Sequence, residues 1–171
     1  MIFVATADGW LEMADRRVRC ALGPAGVVPA AAKREGDGAS PAGIWPIRDV
    51  WYRPDRGPPP ACELRVRAMR PEDGWCDDPA DPAYNRHVLL PYPASAERLW
   101  RDDGLYDIVV VLGYNDDPPQ PGRGSCIFLH VAKPDFSPTQ GCVAVARAEL
   151  EALLAGAHPG DAVEIRGSHG L

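Results

Sequence analysis

The sequence predicts one mainly-β domain, and three observations carry that expectation. Short stretches that alternate apolar and polar residues recur along the chain, each closed by turn residues. Prolines number 19 in 171 residues, against a usual level of about 5%, and 17 glycines accompany them, so turns and stiff loops are frequent. Only residues 96–101 and 147–155 read as helical. Neither a repeat nor a linker divides the chain, and its length suits a single domain over 1–171 with a sizeable core.

Taken in order, residues 2–5 and 10–13 flank Asp8-Gly9, a pair suited to a tight hairpin. Val18, Cys20 and Leu22 alternate with Arg17, Arg19 and Ala21, so residues 1–30 read as a small β-meander, either joined to the main sheet or added to it. A polar, turn-rich stretch over 33–45 passes into a strand over 44–50. Pro54 and Pro58 to Pro60 stiffen the next loop, and a half-exposed strand spans 64–69. Asp77-Asp78 reads as a solvated turn, because neighbours on an extended chain face opposite ways. Trp75 and Tyr84 are candidates for the wall of a sugar or peptide site.

Ser95 is placed to cap a helix over 96–101, with Glu97 one position away from the capping-box place. The β-branched run Ile108–Leu112 predicts a strand buried on both faces. Residues 113–124 form a long loop with Pro118, Pro119 and Pro121, expected to be an ordered cap over the functional cleft. Residues 143–145 continue the sheet. Over 147–155, Leu150, Leu153 and Leu154 share one helix face with Gly156 as the stop, and a last strand spans 162–166. His158 in a turn and His169 in the tail are expected to be uninvolved.

A net charge of −6 without a basic stripe argues against nucleic acid as partner. No apolar run approaches the roughly 18–20 residues that span a bilayer, and residues 2–5 are too short for the apolar core of a secretion signal. The cysteines are Cys20, Cys62, Cys76, Cys126 and Cys142, in no CxxC pattern. Cys126, His130 and Cys142 lack a fourth ligand at diagnostic spacing, so neither metal nor cofactor is expected. Cys62 and Cys76 could bridge, while Cys20 and Cys126 read as small apolar strand residues.

Chemistry concentrates in one stretch. An apolar run, residues 127–129, ends on His130, and after a Pro-bearing loop Thr139-Gln140-Gly141-Cys142 leads into another apolar run. A thiol needs a nearby base to act as a nucleophile at neutral pH, and this spacing lets the chain return beside His130. Gly141 permits a turn that aims the amides of Gln140, Gly141 and Cys142 at one point, as an oxyanion requires. The plain alternative is a buried cysteine after a glycine and a histidine that merely closes a strand.

The Ile127-Phe128-Leu129-His130 strand end followed by Thr139-Gln140-Gly141-Cys142-Val143 resembles the signature of the YkuD-type L,D-transpeptidases. The stretch from Lys33 to Trp45, with Gly36-Asp37-Gly38-Ala39-Ser40-Pro41-Ala42-Gly43-Ile44, resembles that family's GDGxTPxGxF block. The resemblance implies a β-sandwich-like catalytic fold with one or two peripheral helices. It implies two-step acyl transfer between peptidoglycan stem peptides through a thioester on Cys142, with His130 as base and no cofactor. It further implies a monomer in the periplasm or cell envelope that contacts the stem peptides and the glycan strand carrying them. Candidate substrate contacts are Thr139, Tyr114, Asn115, Arg123, Arg147, Trp75 and Tyr84.

Three departures stand out. Gln140 replaces the family's usual histidine, Ala144 replaces an arginine that helps bind the donor, and the loop between His130 and Cys142 is short. Arg123 and Arg147 flank the motif as candidate replacement cations. No Asp or Asn stands out to orient His130, so a backbone carbonyl is the expected partner of its second ring nitrogen. If water replaced the acceptor amine, the same pair would make an L,D-carboxypeptidase; an inert peptidoglycan-binding domain is the non-enzymatic alternative. A papain-like hydrolase places its cysteine before its histidine, the reverse of the order here.

Overall fold

In the computed structural model, which describes residues 1–168, the N-terminal meander forms as its alternation predicts. Strands β1 (Ile2–Thr6), β2 (Trp10–Glu12) and β3 (Arg17–Ala21) pair antiparallel, with Gly9 at φ +85° making the first turn. Next come β4 (Val27–Pro29), the 13-residue β5 (Ser40–Tyr52) and β6 (Val66–Ala68). Three short strands follow, β7 (Asp73–Cys76), β8 (His87–Leu89) and β9 (Ala96–Arg98). The chain ends with β10 (Ile108–Leu112), β11 (Phe128–Val131), β12 (Val143–Val145), helix α1 (Arg147–Ala155) and β13 (Ala162–Arg166). The chain is mainly β, as expected; His169 lies outside the described residues.

The long strand β5 closes the main sheet. Its residues 43–46 pair with β13, and its residues 47–52 pair with β10. Since the order between runs β10-β11-β12-β3-β2-β1-β13-β5, the sheet wraps back on itself, and the meander is an integral part of it. Inside, Phe3, Leu11, Val110, Leu129, Val143 and Ile165 pack with Leu150, Leu153 and Leu154 of α1. Burying each such side chain stabilises the fold by about 1.5–3 kcal/mol.

Strand β10 is apolar throughout because both its faces are covered. Ile108, Val110 and Leu112 enter the enclosed core, whereas Val109 and Val111 face outward. That outer face carries a second cluster of Trp51, Met69, Tyr106, Phe128 and Cys142, covered by the small sheet β8-β7-β9 and Leu99. Strand β10 therefore lies between two layers.

The helix expected over 96–101 does not form. Ala96, Glu97 and Arg98 pair with Cys76, Trp75 and Gly74 of β7, and Ser95 Oγ donates to Asp77 Oδ1 (2.6 Å) instead of capping. Six residues are too few for a helix to hold without tertiary support, and here that support comes from a strand. All five cysteines are free, so Cys62 and Cys76 do not bridge. Cys20 lies in β3, but Cys126 precedes β11 at φ +56°, a sparsely populated conformation for a residue with a side chain. No described helix is long and apolar enough to cross a membrane.

Candidate active site

Strands β11 and β12 run parallel, with Leu129 opposite Val143 and His130 opposite Ala144. Alternation along each strand then sets Phe128 and His130, with Cys142 and Ala144, on one side. That side is the outer face under the small sheet. The loop 132–142 is the crossover that returns the chain beside itself.

The turn into β12 admits only glycine at position 141. Gly141 has φ +122°, and a Cβ there would stand 2.6 Å from the Ala39 carbonyl oxygen. Thr139 braces the turn: its hydroxyl donates to the Cys142 carbonyl (2.7 Å) and accepts the Gly141 N–H (3.1 Å). Of the three amides expected to face an oxyanion, that of Gly141 is thus engaged, and those of Gln140 and Cys142 remain.

His130 and Cys142 open on a cavity of about 530 Å³. The Lys33–Gly38 block forms one wall, and Glu97, Arg101 and Tyr106 form another; Ser125, Cys126, Thr139, Gln140 and Ala144 also line it. His130 is 5% exposed, with Nδ1 set to donate to the Val131 carbonyl at 2.9 Å. This is the carbonyl partner the sequence called for, and it leaves Nε2 with the lone pair. The Tyr106 ring stands edge-on to the imidazole at 5.1 Å. Burial pushes the His130 pKa down to about 4.

Cys142 Sγ donates to the Cys126 carbonyl (3.0 Å), and the Phe128 N–H points at the sulfur (3.4 Å). Burial, with the nearby Glu97 carboxylate adding to it, pushes the thiol up to about 12. The resting pair is therefore a neutral thiol and a neutral imidazole. Glu97 is itself pushed up by burial and accepts a hydrogen bond from the Tyr106 hydroxyl (2.6 Å).

The other expected contacts are scattered. Thr139 reaches the cavity; Tyr114, Asn115, Arg123, Arg147, Trp75 and Tyr84 do not. Tyr84 is buried, donating to Glu35 Oε2 and accepting the Gly124 N–H (2.9 Å), so it braces the wall from behind. Trp75 donates to Asn85 Oδ1 (2.9 Å), meets Phe128 edge-on at 5.3 Å, and lines a separate cavity of about 260 Å³ with Arg48 and Asp116. Arg147 pairs with Asp107 (3.3 Å) and Glu151 (3.0 Å) on α1.

The proline loop is ordered but is not a cap. Asn115 accepts the Gln120 N–H (2.8 Å) and donates to the Gly124 carbonyl (2.9 Å), while Tyr114 donates to the Arg123 carbonyl. Arg123 reaches the Ala31 carbonyl (2.6 Å), and Gly122 accepts the Glu35 N–H (2.9 Å), so the loop buttresses the back of the Lys33–Gly38 wall. Sequence reasoning missed Glu97, Arg101 and Tyr106, which a helix over 96–101 would have arranged differently. Lys33 and Glu35 had a signal in the polar block, though no role was read from it.

The family model for the L,D-transpeptidase catalytic domain, YkuD, matches residues 2–165. Among solved structures, the helical cell shape determining protein Pgp2 from Campylobacter jejuni is similar, with 12% sequence identity and a TM-score of 0.47. That match covers 99% of this chain and 48% of the other, so the chain spans about half the length of that protein. No curated protein matches the chain in sequence. Matched over nearly its whole length, the chain belongs to the YkuD family of L,D-transpeptidase catalytic domains.

Proposed function

We propose that the protein is a peptidoglycan L,D-transpeptidase of the periplasm or cell envelope, working by cysteine acyl transfer. One observation carries this reading: the His130 imidazole and the Cys142 thiol share one face of two adjoining parallel strands and open on one cavity. The Val131 carbonyl holds Nδ1–H, so Nε2 is the base.

Because both groups rest neutral, the proton leaves sulfur as the attack proceeds, with no preformed ion pair. The thiol leaves the Cys126 carbonyl and turns to Nε2; the sulfur attacks the carbonyl carbon of an L-centred stem residue while His130 takes the proton. The amides of Gln140 and Cys142 receive the oxyanion, and losing one such donor typically costs about 10²–10³ in rate. The C–N bond then breaks, the leaving amine takes the proton from His130, and a thioester remains on Cys142. An amine of a second stem attacks the thioester, gives its proton to His130, and releases the thiol, which recovers that proton. Atypical donor specificity follows from Ala144, which places only a methyl group on that face where the resemblance implies an arginine.

The test is incubation with purified sacculi and with stem peptides, followed by mass spectrometry of the protein and its products. A thioester on Cys142 and new cross-links are expected; free shortened stems without cross-links would indicate the carboxypeptidase. Absence of any adduct on Cys142 would overturn the reading.

A further inference from the structure

The second cavity, of about 260 Å³, adjoins the catalytic one beneath the small sheet, and the acyl-transfer steps make no use of it. Glu97 of β9, Trp75 of β7 and His87 of β8 pair in one row, so their side chains leave the same face of that sheet. Glu97 lines the catalytic cavity, whereas Trp75 and His87 line the second. Phe128 stands between the two: it lines the second cavity, and its N–H points at the Cys142 sulfur (3.4 Å). Neighbouring strands lie roughly 5 Å apart, so the second cavity begins within about 10 Å of the nucleophile.

Its lining joins an aromatic plate and an apolar floor to a charge-balanced rim. The Trp75 indole is half-buried and held in place: Nε1–H donates to Asn85 Oδ1 (2.9 Å), and the ring meets Phe128 edge-on at 5.3 Å. Asn85, at φ +55°, also accepts the Cys126 N–H (3.2 Å) and donates to the Tyr114 and Asn115 carbonyls (3.0 and 2.8 Å). Val111, Leu112 and Ile127 add apolar surface. On the rim, Arg48 and Arg86 stand with Asp49 and Asp116, two cations with two carboxylates. Arg48 pairs with Asp116 (2.8 Å) and Asp49 with Arg65 (3.1 Å). Arg86 is exposed, and its guanidinium makes no hydrogen bond or ion pair among the described residues.

A charge-balanced rim favours an uncharged ligand, because a net charge brought here would meet no surplus of the opposite sign. A ring with C–H groups on its face and hydroxyls on its edge fits this lining. The C–H face rests on the electron-rich face of an indole, and the hydroxyls meet donors and acceptors on the rim. We propose that this cavity is a subsite for an uncharged sugar ring, and that its occupant is the N-acetylated glycan strand that carries the stem peptide. The choice of that strand rests on the acyl-transfer reading above, which the subsite extends. The volume suits a single ring, since drug-sized ligands take roughly 300–1,000 Å³. A peptide arm of three residues reaches about 10 Å when extended, so a strand held at Trp75 can hand its stem to Cys142.

The experiment titrates the protein with a tetramer of N-acetylglucosamine, an uncharged soluble probe, and follows amide and indole N–H resonances by NMR. Shifts are expected at the Trp75 indole, Asn85, Arg86 and His87, with a Kd that hardly changes between low and high salt. Trp75→Ala should weaken binding about tenfold, and Arg86→Ala by about 3- to 10-fold. Acylation of Cys142 is then compared between stems borne on soluble glycan strands and the same stems free. The ratio of the two rates should fall about tenfold in Trp75→Ala. If Trp75→Ala fails to fold, as judged by circular dichroism, Arg86→Ala and the map of shifts decide. Absence of binding, shifts confined to the catalytic cavity, or Arg86→Ala binding as tightly as the parent overturns the proposal and leaves acyl transfer standing. So does a parent that takes free stem peptide in this cavity in place of the sugar. Sugar bound at Trp75 in a protein that never forms an adduct on Cys142 would uphold the subsite and sink the acyl-transfer reading alone.

Discussion

Residues 95–106 and 113–124 present opposite lessons. The first stretch, read as a capped helix, folds as a strand and a turn, and delivers Glu97, Arg101 and Tyr106 to the cavity. The second, read as a proline-stiffened cap, is as ordered as its prolines imply yet touches none of the cavity. Proline restricts local backbone angles, so it speaks to order; it carries no information about which side of the sheet a loop crosses. That side was decided by strand pairing.

The comparison is most severely tested at the face the first stretch covers. Cys142→Ala should abolish acyl transfer with the fold intact, and His130→Ala should lower kcat/KM by about 10²–10⁴. Circular dichroism alongside the assay separates loss of chemistry from loss of fold. Cross-linking that survives in Cys142→Ala would leave the cavity without a catalytic role.

A second test uses pH. His130 ionises at about 4 in the folded protein, below its ordinary 6.5, because burial disfavours the cation. The unfolded chain therefore binds the proton more readily, and stability falls as pH drops from 6.5 through 4, by roughly 3 kcal/mol for this group. Chemical denaturation across that window should find the loss, and His130→Gln should largely remove it. The acid limb of kcat/KM should correspondingly lie nearer pH 4 than 6.5.

A matched pair sharpens the contrast. Tyr106→Phe removes the hydroxyl that satisfies Glu97 beside Cys142 and should lower kcat/KM by about tenfold, roughly 1.4 kcal/mol. Tyr114→Phe removes a comparable bond to the Arg123 carbonyl and should reduce stability alone. Equal kinetic effects would mean that the two stretches act alike. Smallest of all, Pro119→Ser and Pro121→Ser should each cost less than about 1 kcal/mol in denaturant titration, with turnover and the ratio of hydrolysis to cross-linking as in the parent.

Much of the fold was legible. The meander, the buried strand Ile108–Leu112, the helix Arg147–Ala155 and the last strand all follow from periodicity and turn residues, because each is set by neighbours in sequence. The strands β7 and β8 escaped notice, since three or four residues in a polar, proline-rich stretch carry no readable period. The same brevity made the window at 96–101 ambiguous between helix and strand.

What the sequence determined by itself was the placing of Cys142 and His130 on one side of adjoining strands and the turn that leads into Cys142, since Gly141 permits the turn and alternation sets the side. Tertiary structure alone decided the cavity's walls. Arg101 and Tyr106 line one cavity with His130 because β9 pairs with β7 and the small sheet lies over the face that carries it. The same holds for the resting state of the pair. A thiol pushed up to about 12 and an imidazole pushed down to about 4 reflect how much protein surrounds them, and burial is a property of the folded chain.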